Sequence, residues 1–176
     1  MKTTEPLLPL IHLKPGELVF TEKPAQVVTV LGSCVTITMF SAWPRCAAIC
    51  HAMLSKPPVQ EPGKKIPGRF KYLSEAIPFM AAHFRKLGIN LQTVEVKMFG
   101  GGNVTPHDRA KERSHLLIGN ANIQTARQLL ATEALNLKAA NVGGLLGRKL
   151  IFNTQTGKVM HKHLPHISTT NPRESK

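Results

Sequence analysis

VVTVLGSCVTITMF, residues 27–40, decides how the chain is read. Two runs of β-branched and apolar residues are broken at Gly32-Ser33, and a cysteine follows the break. AQVVTVL (25–31) reads as one strand and CVTITMF (34–40) as a second. In the second, Val35, Ile37 and Met39 share one face, while Cys34, Thr36 and Thr38 share the other. A cysteine there is either a small buried hydrophobe or a reactive thiol exposed at a flexible joint, with backbone N–H groups beside it.

Outward from this pair, SAWPR (41–45) reads as a turn around Pro44, and CAAICHAML (46–54) as a returning strand of a hairpin. Upstream, PGEL (15–18) is a turn into a short strand. SKPPVQEPGKKIPGR (55–69) holds four prolines, two glycines and a basic cluster. It reads as a long loop, and long loops in compact domains are usually functional or mobile.

From Lys71 to Leu87 the period becomes helical, with Leu73, Ile77, Met80, Phe84 and Leu87 on one face and Gly88 as the stop. Pro78 is expected to kink this helix or delay its start. TVEVKMF (93–99) alternates as a strand with Val94, Val96 and Met98 inward. GGGNVTPHDRAKERSH (100–115) reads as a second loop, followed by a helix capped by Asn120 or Asn122 and ending near Asn136. LKAANV (137–142), RKLIFN (148–153) and KVMHKHL (158–164) read as strands, separated by Gly143-Gly144 and TQTG.

The expectation is a single-domain α+β sandwich of mixed β-sheets with two main helices, spanning 1–164, with 165–176 as a flexible tail.

Composition narrows the class. At 176 residues and 42% hydrophobic content, one domain with a real core is expected. No apolar run is long enough to span a bilayer. LLPLIHL (7–13) is interrupted by Pro9, preceded by Glu5 and followed by no small-residue cleavage site, so it does not read as a signal peptide. A cytoplasmic protein is expected.

Three cysteines cannot all pair, and a reducing compartment keeps them as thiols. The formal charge of +13 implies an acidic partner. Seven Phe, one Trp and one Tyr offer little for a base-stacking platform, so nucleic acid is the lesser expectation.

A cysteine hydrolase needs a thiolate, a histidine to take its proton, and N–H donors for the oxyanion. Cys34 follows Gly32 and Ser33, whose backbone allows close substrate approach. A hairpin centred between 42 and 43 sets His51 opposite Cys34. Thr29 is in position to orient His51 by a hydrogen bond, although a β-branched residue on a strand needs no such role.

Cys46 and Cys50 lie on the face opposite His51 and read as buried hydrophobes. A metal site from Cys34, Cys46, Cys50 and His51 has the wrong spacing for a zinc knuckle, and adjacent strand residues point apart. No metal or other cofactor is expected. GGG (100–102) lacks the Lys-Ser/Thr or GxGxxG frame of a nucleotide loop. It reads as a turn permitting backbone approach.

The pieces HLKPGEL (12–18), TVLGSCV (29–35), HAML (51–54), LSEAI (73–77), KMFGGG (97–102), IGNANI (118–123) and VGGLLGRKLIFNTQTGKV (142–159) stand in one order. In that order the chain resembles the CheD family, bacterial chemoreceptor glutamine deamidases. Three departures stand out: no proline follows HAML directly, Pro78 interrupts a helix, and Asn141 replaces an acidic residue before the glycine pair.

The resemblance implies a sandwich-type cysteine hydrolase with Cys34 as nucleophile, His51 as base and Thr29 as third member. The reaction implied turns receptor glutamines into glutamates through a thioester, on cytoplasmic receptor helices, in some bacteria beside a CheC-type phosphatase. Lys64, Lys65 and Arg69 are the expected substrate-binding residues. The alternatives are a non-catalytic chemotaxis adaptor or phosphatase-binding module of the same fold, and a basic nucleic-acid binder.

Overall fold

The computed structural model describes residues 7–59, 66–104 and 109–165, with the backbone alone for 109–117. Among the described residues, nine strands form two mixed sheets. β3 (Gln26–Leu31) pairs with β1 (Leu10–His12) in parallel and with β8 (Arg148–Asn153) antiparallel, and β9 (Val159–His163) completes a sheet ordered β1-β3-β8-β9. The second sheet runs β2-β5-β4-β6-β7, built from Leu18–Thr21, Arg45–Ala52, Val35–Ala42, Glu95–Gly100 and Leu137–Val142. Two helices, α1 (Leu73–Lys86) and α2 (Arg109–Thr132), cover its outer face.

Alternation along the strands makes the five-stranded sheet the middle layer. Val35, Ile37 and Met39 join Cys46, Cys50, Val96 and Met98 against Leu73, Ile77, Met80 and Phe84 of α1 and Ala126 and Leu130 of α2. The opposite face meets the four-stranded sheet through Ala47, Ile49, Val27 and Phe152, and through Leu31, Phe99 and Leu150. The expected α+β sandwich and the split of faces across the central hairpin are both present. Cys46 and Cys50 are fully buried on the helix side.

Five points differ from expectation. The hairpin closes as a two-residue turn at Trp43-Pro44, with Ala42 opposite Arg45, so Thr36 rather than Cys34 faces His51. The second helix starts at Arg109, well before Asn120, because the Arg, Ala, Lys and Glu of RAKER are good helix formers and propagate it backwards. It ends at Thr132, short of Asn136. Pro78 does not delay α1, which starts at Leu73 and runs through it. LIH (10–12), given no element above, adds the parallel edge strand β1.

Candidate active site

At the open end of the central hairpin the ladder stops at Val35 opposite Ala52. Beyond it the strands part. Met53 and Leu54 turn away and donate to the Lys71 carbonyl at 2.8 and 3.0 Å. On the other arm, Gly32, Ser33 and Cys34 are held by their carbonyls. Gly102 N–H donates to Gly32 and Gly101 N–H to Cys34, both at 2.8 Å. The Asn122 Nδ2 amide donates to Ser33 at 3.3 Å.

The glycine loop is a support for this segment, as its sequence suggested. A Cβ on Gly100, where φ is +107°, would sit 2.1 Å from the Cys34 carbonyl oxygen. The N–H groups of Ser33 and Cys34 donate to no other residue among those described.

Cys34 packs against the inter-sheet cluster of Leu31, Phe99 and Leu150. It therefore lies on the same side as Thr36, His51 and Phe99, which form one row across β5, β4 and β6. The thiol is half-buried rather than exposed, and loss of solvent pushes its pKa up, only partly opposed by its own N–H. This half-buried setting disfavours the thiolate. Burial raises Cys46 to about 12 and Cys50 to about 11.

His51 is 2% exposed. Burial lowers its pKa to about 4, against opposing contributions from the Leu13 carbonyl and Glu17, so the imidazole is neutral. Its tautomer follows from Thr29. The Thr29 hydroxyl donates to the Leu13 carbonyl at 2.8 Å and lies 2.7 Å from His51 Nδ1. A hydroxyl has one proton. With that proton given to Leu13, Nδ1 must carry the hydrogen, and Nε2 keeps a free lone pair. Nε2 is buried and unpartnered among the described residues, as is the hydroxyl of Thr36 directly opposite.

Thr29, Cys34 and His51 thus converge from both sheets, although no hydrogen bond joins the thiol to the imidazole. Gly32 and Ser33 immediately precede Cys34 on the arm that the glycine loop and Asn122 hold. Arg69 lies on a short 3-10 turn at Arg69–Lys71, pairs with Glu75 at 3.3 Å and stacks over Phe70 and Phe79. Lys64 and Lys65 lie outside the described residues.

Thr36 and Asn122 were not recognised from the sequence. Thr36 has the composition of any strand residue, and Asn122 looks like a helix cap. Asn141 accepts from Arg148 Nε at 2.6 Å, tying β7 to β8 across the sandwich. No helix among the described residues is long and apolar enough to cross a membrane.

Residues 53–163 match the family model described as CheD chemotactic sensory transduction. The probable chemoreceptor glutamine deamidase CheD 2 of Geobacter sulfurreducens is 42% identical over 164 residues, covering 93% of this chain and 96% of its own. The probable chemoreceptor glutamine deamidase CheD of Oleidesulfovibrio alaskensis is 38% identical over 158 residues, or 89% of this chain and 74% of its own. That of Maridesulfovibrio salexigens is 37% identical over 158 residues, covering 88% and 91%. Among solved structures, hypothetical protein YfiH of Bacillus licheniformis aligns with a TM-score of 0.46 and 12% identity, over 71% of this chain and 50% of that one.

Proposed function

The chain belongs to the CheD family, and on that premise we propose that it deamidates chemoreceptor glutamines, with Cys34 as nucleophile, His51 as base and Thr29 orienting His51. What supports this reading is the fixed tautomer. An Nδ1–H held by Thr29 leaves Nε2 as a proton acceptor on the face that carries Cys34.

In the first half-reaction, Cys34 sulfur adds to the glutamine carboxamide carbon as its proton passes to Nε2. The oxyanion is met by the N–H groups of Ser33 and Cys34, which follow Gly32 and donate to no other residue among those described. Collapse breaks the C–N bond, and ammonia leaves with the proton from Nε2. Water then loses a proton to Nε2 and attacks the thioester carbon, giving glutamate and free thiol. Thr36, opposite His51, is placed to hold that water or the departing ammonia.

The substrate is a cytoplasmic receptor helix, so the protein works in the cytoplasm, and Lys64, Lys65 and Arg69 steer that acidic surface. A CheC-type phosphatase is the proposed regulatory partner. Residues 166–176, most of the expected C-terminal tail, lie outside the described residues.

The test is incubation with a receptor cytoplasmic fragment followed by peptide mass spectrometry. Gln-to-Glu conversion is expected with wild type and none with Cys34→Ala. Cys46→Ala and Cys50→Ala should keep activity while losing on the order of 1 kcal/mol of stability, as small core cavities do. Tight binding without conversion by the wild type would instead make the protein an adaptor. Full activity in Cys34→Ala would remove the thiol mechanism.

A further inference from the structure

Asn122 is 1% exposed and lies inside α2, where asparagine is a poor helix former. Its side chain is spent on tertiary bonds. Nδ2 donates to the Met53 carbonyl at 2.9 Å and to the Ser33 carbonyl at 3.3 Å, and Oδ1 accepts from Ser55 Oγ at 3.0 Å. Ser33 precedes the nucleophile by one residue, and Met53 follows the base by two. These carbonyls sit on the two arms of the fork where the β4–β5 ladder has ended. One amide group therefore replaces the next rung.

The same helix face also braces the segment from its other side. Gly119, one turn earlier, lies so close to Gly101 that a Cβ there would stand 2.7 Å from the Gly101 carbonyl oxygen. Gly101 in turn holds the Cys34 carbonyl.

We propose that Asn122 is a positioning residue that sets the spacing of nucleophile and base by clamping the two strand ends. The inference rests on the Cys34–His51 reading above. Asn122 acts from behind: α2 packs on the helix-facing side of the sheet, while Cys34 and His51 face the other sheet. With the clamp removed, the Ser33 and Met53 arms are free to separate. Misplacement of reacting groups by about 1 Å costs roughly 100-fold in rate.

The experiment is a double-mutant cycle. Cys34 alkylation by iodoacetamide is followed between pH 6 and 9 by peptide mapping, without substrate. The proteins are wild type, His51→Ala, Asn122→Ala and the double variant. Asn122→Ala should slow Cys34 labelling about tenfold and reproduce the His51→Ala pH profile. The double variant should be no slower than His51→Ala, since the clamp matters only through the pair. With a receptor fragment, kcat should fall at least tenfold with KM little changed.

An equal slowing by Asn122→Ala with and without His51 would overturn the proposal, as would a wild-type profile in Asn122→Ala. If Asn122→Ala does not fold, Ser55→Ala removes only the bond that orients the amide. Its labelling should slow about twofold in wild type and not at all in His51→Ala, and wild-type labelling there overturns the proposal. An unchanged profile in His51→Ala alone would instead dissolve the Cys34–His51 pair, and the clamp with it.

Discussion

His51 is where the chemistry is most exposed to test. Its imidazole is neutral at rest because burial disfavours the charged form, with a pKa near 4. On the proposed mechanism protonation of His51 removes the base, so kcat/KM should fall as pH drops through about 4 and stay flat from pH 5 to neutrality. A pH–rate profile bending near the ordinary histidine range of about 6.5 would show a solvated imidazole in the working enzyme. The same shift has a sign for stability. The unfolded chain takes up a proton near 6.5 and the folded chain near 4, so stability is lost as pH falls across that window. At about 1.4 kcal/mol per unit the loss is at most roughly 3 to 4 kcal/mol. Urea titrations at pH 7 and 4.5 should show this drop in wild type and a smaller one in His51→Ala.

At the scale of elements, the glycine loop after β6 carries the arm that leads to Cys34. Gly100→Ala would set a methyl 2.1 Å from the Cys34 carbonyl, at a φ that side chains rarely adopt. A loss of at least about 2 kcal/mol in chemical denaturation is expected, with activity falling further than stability because the displaced atom belongs to Cys34. Wild-type stability and turnover would mean that the loop moves freely.

Much of this scale was legible in the sequence. Period-two alternation separated the faces of β4 and β5 correctly, so Cys46 and Cys50 were assigned away from His51. Register was not legible, because the pattern is equally satisfied when the strands slide by an even number of residues. The two-residue turn decides it. The start of α2 was hidden because the composition of RAKERSH fits a charged loop and a solvent-facing helix alike. Asn122 was misread for a related reason. Local preference places asparagine at caps, and only tertiary partners reveal why one sits mid-helix. Thr29 lies 22 residues from His51 and in the other sheet. Its role was suggested by proximity to Cys34 in sequence, and only the packing of the sheets brings it to Nδ1.

For the whole molecule, a formal charge of +13 should act mainly on encounter with an acidic receptor surface. Raising salt should lower the association rate and leave dissociation nearly unchanged. Reversing charge at Lys64, Lys65 and Arg69 should do the same, with Arg69 contributing least because Glu75 already engages it. Stopped-flow binding at two ionic strengths decides this, and an unchanged association rate would take the loop out of recognition.

The bond between Thr29 and His51 ties β3 to β5, and β3 is held along its full length by β8. Thr29, Cys34 and His51 all leave the ribosome within the first third of the chain, yet β8 is synthesised nearly a hundred residues later. Until it arrives, β3 has only β1 as a sheet partner. The contact between Thr29 and His51 thus depends on a sheet whose last strands are made long after either residue.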